Sequence, residues 1–314
     1  MSGAPLRLGT RQSPMALAQS RRVAELITER TGRPVELTGI TTAGDISQAH
    51  LVQIGGTGIF VSALRDRLAS GDVDFAVHSL KDLPAAQPPA LALAAVTARD
   101  DPRDALAARD GAKLADLPPE ARIGTGSPRR AAQLLLLRPD IRPVPIRGNA
   151  GTRLAKITSG EVDAVVLAYA GLARIGRLDV VTQVFEPEEM LPAPGQGALA
   201  VECLAGRADL ADLLSCADDA GSRAATAAER AVLAGLQAGC SAPVGAYAAL
   251  TDALRLDAIV AAADGGAALR AGAGGSADQA ERLGRAVAAE LLRRGAGNYT
   301  DVSAGHLRTG DDEK

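Results

Sequence analysis

The chain has 314 residues, 47% of them hydrophobic and 23% charged, and a formal net charge of −3. That length is beyond the roughly 250 residues at which single cores stop growing, so two or three packed units are expected, and the slight negative charge excludes a basic nucleic-acid footprint. Cys203, Cys216 and Cys240 are odd in number and lack CxxC spacing, and His50, His78 and His306 are scattered, which excludes a disulfide scaffold and a zinc site.

The first element is a short strand, Leu6 to Thr10, which passes through Arg11-Gln12 to Ser13-Pro14, where an amphipathic helix begins. Serine at the cap and proline in the first turn make a strong helix start. Met1 to Arg7 has no apolar segment before its first charge, and no stretch approaches the roughly 18 apolar residues of a membrane span, so a cytoplasmic protein is expected. The loop Ile54-Gly55-Gly56-Thr57-Gly58-Ile59-Phe60 lacks the lysine and spacing of a phosphate loop and the third glycine of a dinucleotide fingerprint. It reads as a mobile surface loop or as a gate over a ligand.

Ser70-Gly71-Asp72-Val73-Asp74 leads into the apolar run Phe75-Ala76-Val77, which ends at His78-Ser79-Leu80-Lys81-Asp82. Polar residues at a strand end are solvated loop or active site, and the fold decides which. On an extended backbone, Lys81 and Asp82 point in opposite directions. Arg99-Asp100-Asp101-Pro102-Arg103 is polar and proline-containing, suited to a crossing between units.

The pattern then repeats. Arg122 to Gly126 is a short strand followed by Ser127-Pro128-Arg129-Arg130 and a leucine-rich helix to Leu137, and Ser159-Gly160-Glu161-Val162-Asp163 leads into Ala164 to Leu167. The first copy carries extra residues between its matched elements, which Ala43 to Gly58 would hold. Strands alternating with helices indicate mainly parallel sheets covered on both faces, with ligands beyond the carboxyl ends of the strands, where helix N-termini point.

Arginine is dense in the second copy: Arg129 and Arg130 at a helix start, Arg147 and Arg153 around Gly148-Asn149-Ala150-Gly151-Thr152. A basic pair at a helix N-terminus opposes the helix dipole and calls for an anion. Across the chain only Lys81, Lys113, Lys156 and Lys314 are lysine, which leaves 30 of 34 basic residues as arginine. Codon bias accounts for such a preference, and so do bidentate carboxylate clamps. Pro192 to Gly197 is a second crossing. Beyond Ala220 come a helix (Ser222 to Ala238), a hairpin (Val244 to Ala263) and an amphipathic helix (Ala277 to Arg294), with a loose tail after Asn298. Cys240, between Gly239 and Ser241-Ala242-Pro243, is a small buried hydrophobe or a nucleophile.

Seven motifs in order resemble the porphobilinogen deaminases along nearly the whole chain. They are Gly9 to Pro14, Ala76 to Asp82, Asp101-Pro102-Arg103-Asp104, Gly124 to Arg130, Arg147-Gly148-Asn149, Leu191 to Ala198 and Gly239 to Pro243. The resemblance implies an α/β fold with two lobes like periplasmic binding proteins, plus a small C-terminal α+β domain. The first lobe would span 1–98 and 198–218, the second 103–192 and the third domain 220–314, with hinges near 99–102 and 193–197.

It also implies a transferase that joins four porphobilinogens head to tail, with loss of ammonia, on a dipyrromethane held by Cys240 through a thioether. The product is linear hydroxymethylbilane for tetrapyrrole biosynthesis (haem, sirohaem, corrin). A thiolate is a soft nucleophile for an electron-poor methylene carbon, and a thioether resists hydrolysis. By that resemblance Asp82 is the central carboxylate, hydrogen-bonded to pyrrole N–H groups and stabilising the azafulvenium cation left when ammonia departs. At about 4 Å and an effective dielectric near 20 such a charge contributes about 4 kcal/mol.

Each pyrrole unit carries an acetate and a propionate, so the resemblance assigns carboxylate binding to Arg11, Ser13, Lys81, Arg129, Arg130, Arg147, Arg153 and Arg174. Ser79, Thr125, Ser127, Gly148, Asn149 and Gln196 would support them, with Phe60 stacked near the substrate. No metal, nucleic acid or membrane partner is implied, and a monomer is the default. Gln53 and Thr57 stand where many members have lysine, and Gly126 where serine is frequent, so side chains of that first loop are given no carboxylate contact. Two other readings share the two-lobed pattern. A non-enzymatic organic-anion binder would leave the third domain and Cys240 without purpose, and a transcription regulator would need a helix-turn-helix segment that does not precede the first lobe.

Overall fold

The structure, a computed structural model, describes residues 4–40, 58–239 and 242–300. The strand Leu6–Arg11 (β1) is followed by helix Pro14–Thr31 (α1), capped by the Ser13 hydroxyl, which accepts the Ala16 N–H at 3.2 Å. Strand Val35–Ile40 (β2), helix Gly58–Ala69 (α2), strand Phe75–Ser79 (β3) and strand Leu91–Val96 (β4) complete the first run. The chain then enters a second sheet through Asp104–Ala108 (β5), Arg122–Gly124 (β6), helix Pro128–Leu137 (α3), Arg142–Val144 (β7), helix Ala150–Thr158 (α4), Ala164–Ala168 (β8), helix Tyr169–Arg174 (α5) and Gln183–Val184 (β9). It returns to the first sheet with Leu199–Leu204 (β10) and helix Ala208–Leu214 (α6).

The two five-stranded sheets have matching orders, β2-β1-β3-β10-β4 and β7-β6-β8-β5-β9. In each, the strand that arrives from the opposite sheet, β10 or β5, lies antiparallel to both neighbours, while the other pairs are parallel. The sheets are therefore mixed in pairing, with four of five strands running one way, because each crossing strand is inserted against the grain.

The repeat extends to side chains. Asp74 and Asp163, the last residues of the two Ser-Gly-Asp/Glu-Val-Asp runs, accept the backbone N–H of Arg7 at 2.8 Å and of Arg122 at 2.7 Å, and each returns its own N–H to that arginine's carbonyl. Both sheets are covered on two faces. On the first, Val23 and Ile27 of α1 pack with Leu8, Phe75 and Val201, and Leu64 and Leu68 of α2 cover Ile40 and Ala76. On the second, Leu134 of α3 meets Ile123 and Val166, and Leu154 of α4 meets Val165 and Leu167. Residues 43–57, where the extra length of the first copy was expected, lie outside the described residues, as does the tail beyond 300.

The C-terminal unit starts with helix Ala220–Gly235 (α7), capped by Asp219, and continues through Val244–Leu250 (β11), Leu254–Ala261 (β12), Ala268–Gly275 (β13) and helix Ala280–Arg293 (α8), with a last turn at Gly297–Thr300 (α9). The sheet has three antiparallel strands where the sequence indicated a hairpin. β13 has no β-branched or aromatic residue to signal a strand: apart from Leu269 and Arg270, Ala268 to Gly275 is alanine and glycine.

The two crossings lie side by side, and two glycines allow it. Gly197, at φ 95°, passes so close to the first crossing that a Cβ would sit 2.4 Å from the Asp100 carbonyl oxygen. Gly195, at φ 78°, lies against Leu80, where a Cβ would be 3.0 Å from Leu80 Cγ. Fully buried Glu229 of α7 joins the crossings to the C-terminal unit: its carboxylate takes Arg99 Nη1 at 2.6 Å and Nη2 at 3.1 Å, the Gly195 N–H at 2.7 Å and the Ala248 N–H at 2.7 Å. Arg99 in turn donates to Gln196 O at 2.8 Å and sits over the Tyr247 ring. Removing the carboxylate strands a buried guanidinium, so Glu229→Ala is expected to lower stability by about 3–5 kcal/mol. A large drop in the urea midpoint checks this, and an unchanged midpoint refutes it.

Candidate active site

β3, the central strand of the first sheet, ends at Ser79, and the chain then coils into a 3-10 turn, Leu80–Asp82. The Leu80 N–H is held by Ala198 O at 3.0 Å and the Leu83 N–H returns to Leu80 O at 3.1 Å, closing the turn. Lys81 and Asp82 thus lie on a helical turn, not on the extended backbone that was expected to send them in opposite directions. Their charges interact. Burial, and then the charge of Arg130, push the Lys81 ammonium down to about 8, although Asp82 and Asp104 act in the opposite sense.

The anion called for by the basic pair of α3 is present within the chain. Asp104, the first residue of β5 and fully buried, takes Arg129 Nη2 at 2.7 Å on one oxygen and Arg130 Nη2 at 2.8 Å and Nε at 3.1 Å on the other. Burial raises its pKa, but the two guanidiniums outweigh that and hold the carboxyl well below the usual range. Arg129 also donates to Leu191 O at 2.6 Å and Arg130 to Val166 O at 3.0 Å. Gln196 of the second crossing completes the group, giving its amide N–H to Asp104 and to Pro102 O, each at 2.7 Å, and accepting Lys81 Nζ at 3.2 Å.

Arg153 of α4, half-buried, donates Nε to Gly148 O at 2.8 Å; burial and Arg130 lower its pKa while Asp82 raises it. These interactions gather four cationic groups, Lys81, Arg129, Arg130 and Arg153, around two carboxylates, Asp82 and Asp104. The ensemble is net positive and suits an anionic ligand.

Other expected site residues are placed as follows. Ser127 caps α3, accepting the Arg130 N–H at 3.4 Å, and Thr125 Oγ1 accepts the Ser127 N–H at 3.2 Å. Asn149 caps α4 through the Thr152 N–H at 2.9 Å, next to Gly148 at φ 100°. Arg147 is exposed and has no hydrogen bond or ion pair among the described residues. Ser79 pairs with the amide of Gln19 at 2.9 Å, and Arg11 ends β1, half-buried. Arg174 is engaged with Asp100 at 2.8 Å, a carboxylate it shares with Arg22 of α1. Phe60 lies in the first turn of α2. Cys240 lies outside the described residues. His78 is buried in the first lobe, its Nε2 3.2 Å from Glu202 Oε2, with Arg65 and Gln87 on the same carboxylate. Although burial raises the Glu202 pKa, hydrogen bonds from His78 and Arg65 outweigh it and hold the group at about 2.

Asp104 and Glu229 were not singled out from the sequence. Asp104 stands inside the Asp-Pro-Arg-Asp motif, but its partners lie 25 and 26 residues downstream, and no local spacing reports such a contact.

A family model described as "Porphobilinogen deaminase, dipyromethane cofactor binding domain" matches residues 6–212, and one described as "Porphobilinogen deaminase, C-terminal domain" matches 224–293. The chain is 60% identical to a porphobilinogen deaminase of Thermobifida fusca, covering 97% of this chain and 99% of the relative. It is 54% identical to porphobilinogen deaminase 1 of Streptomyces avermitilis, covering 94% and 97%. Among solved structures, the methionine-binding protein MetQ aligns at a TM-score of 0.44 with 11% identity, over 68% of this chain and 89% of that one.

In the ligand-free chain, Lys81 is expected to titrate near pH 8, against 10.5 for an ordinary lysine. Between those values the unfolded chain binds the extra proton, so this residue makes stability rise with pH from about 8 to about 10.5. Lys81→Met is expected to remove that rise, which denaturation midpoints across the pH range measure. A rise of the same size in the variant would assign it to another group.

Proposed function

From the premise that the chain belongs to the porphobilinogen deaminase family, we propose a residue-level account of how it carries out that family's reaction. The enzyme joins four porphobilinogens head to tail, loses ammonia at each addition, and builds on a dipyrromethane cofactor to give hydroxymethylbilane. An anion-binding protein and a transcription regulator are thereby set aside. The observation that carries the account is the net-positive cluster around the Asp82 turn.

The residues present fit a polycarboxylate primer. Arg147 is exposed, Arg153 is half-buried beside Asp82, and Arg129 Nε is a buried donor with no hydrogen-bond partner among the described residues. When bound, the dipyrromethane supplies the pyrrole carbon that attacks the first substrate unit. Cys240, outside the described residues, would hold it through a thioether.

Arg11, Arg147 and Arg153 take acetate and propionate groups, with Ser13 and Ser79 as lesser donors. Arg129 and Arg130, set by Asp104, form a fixed positive floor, and Thr125, Ser127, Gly148 and Asn149 shape the two helix starts beside it. Gln196 and Lys81 respond together, since one amide touches both Lys81 and Asp104. Arg174 acts through Asp100 at the crossing, and Phe60 borders the substrate. The Asp82 carboxylate accepts pyrrole N–H groups and sets a negative charge beside the carbon that becomes electron-poor as ammonia leaves.

The lobes are taken as 1–98 with 198–218 and 103–192, and the cofactor-anchoring domain as 220–314, with hinges at 99–102 and 193–197. Among the described residues no helix is long and apolar enough to cross a membrane. A cytoplasmic monomer that meets porphobilinogen by diffusion is the state we assign.

Asp82→Asn is expected to keep fold and cofactor and to lose roughly a thousandfold in kcat, the equivalent of about 4 kcal/mol. Turnover at the wild-type rate would remove Asp82 from the mechanism. Purified wild-type protein is expected to exceed its sequence mass by two porphobilinogens less two ammonias, with the excess mapped to Cys240 and absent from Cys240→Ser. Excess mass mapped to Cys203 or Cys216 would move the anchor.

A further inference from the structure

One guanidinium of the C-terminal unit grips the turn that carries Asp82. Arg230 of α7 donates Nη1 to Leu83 O at 2.9 Å and to Leu80 O at 3.3 Å, and Nη2 to Pro84 O at 2.7 Å and to Ala85 O at 3.4 Å. Those carbonyls bracket Asp82 on both sides. The turn is three residues long and Pro84 has no N–H to give, so the segment has little hydrogen bonding of its own to fix it. A planar guanidinium with its donors in a rigid fork spans several carbonyls at once, whereas a lysine ammonium presents its donors at a single point.

The neighbouring residue on the same helix is Glu229, which holds both crossings. α7 ends at Gly235, five residues before Cys240. One helix therefore grips the Asp82 turn, binds the crossings and leads directly into the cysteine segment. We propose that Arg230 is a positioning residue for the reaction: from α7 it fixes the turn that carries the Asp82 carboxylate. The proposal rests on the assignment of Asp82 as the central carboxylate.

The test uses cofactor-loaded enzyme in four forms, wild type, Arg230→Met, Asp82→Asn and the double variant, with Arg230→Lys alongside. Intact mass reports loading, and hydrogen exchange at the amides of Lys81, Asp82, Leu83 and Ala85 reports the turn without reference to turnover. Arg230→Met is expected to load the cofactor, to exchange those four amides at least about tenfold faster while α7 keeps its protection, and to lose roughly 10- to 100-fold in kcat with KM little changed. The double variant is expected to be no slower than Asp82→Asn alone, because a displaced turn matters only while it carries the carboxylate. Arg230→Lys is expected to recover part of both effects, and it replaces Arg230→Met in the cycle if that variant fails to fold or load.

Faster exchange with unchanged kcat would overturn the proposal, and so would an equal loss of kcat with and without the Asp82 carboxylate. Wild-type turnover of Asp82→Asn would remove the underlying assignment as well. That failure is distinguishable, since the exchange of the turn in Arg230→Met is read independently of activity.

Discussion

The architecture depends on a carboxylate that water does not reach. Glu229 would cost several kcal/mol to bury alone, and it is tolerable because every direction around it is filled: a bidentate guanidinium from the first crossing, a backbone N–H from the second and another from β11. Those donors come from three separate stretches of chain. They satisfy the charge only when all three are in place, so the ion pair selects one arrangement of the crossings rather than adding stability in proportion to its contacts. The close approach at Gly195 and Gly197 has the same consequence, since side chains there would push the crossings apart.

The same device recurs wherever a functional group must be held. Asp104 gathers Arg129 and Arg130, Asp100 gathers Arg22 from the first lobe and Arg174 from the second, and Glu202 gathers His78, Arg65 and Gln87. In each case an acidic residue on a strand or crossing draws in cations from elements distant in sequence. The carboxylates supply the positions and the arginines the reach. Asp82 differs because it sits in a turn, half-buried, with cations nearby whose charges it does not fully cancel.

Much of this was legible from the sequence. Serine-proline helix starts, the two glycine-aspartate runs and the continuous apolar strands fixed the duplicated units because their signals are local: a cap and its helix, an Asp74 or Asp163 at the mouth of a strand. The basic pair of α3 pointed to an anion. What spacing left unsaid was that the anion is Asp104, reached only by folding the second sheet. Three other features had no local signature. The Lys81-Asp82 turn depends on an N–H bonded to Ala198, β13 lacks β-branched and aromatic residues, and the antiparallel insertion of β10 and β5 follows from how the crossings thread rather than from composition.

The preference for arginine acquires a physical reason inside this site. Packing cations against one another in a partly dehydrated space favours loss of a proton, and the same environment acts on two kinds of side chain. Lys81 is brought down to about 8, within reach of losing its charge under physiological conditions. Arg129 and Arg153 are lowered for the same causes, burial first and then mutual repulsion through Arg130, with Asp104 opposing the shift in Arg129. A guanidinium begins so high that it remains protonated. A cluster meant to stay positive before its anionic ligand arrives therefore has to be made of arginine, and a lysine placed among them becomes the one member whose charge follows pH. Codon bias would enrich arginine everywhere, including the exposed faces, where lysine would serve as well. Outside the cluster 27 of the 30 basic residues are arginine as well, so codon bias carries the chain-wide preference. The physical requirement applies only where cations crowd together, and there Lys81 stands beside three arginines.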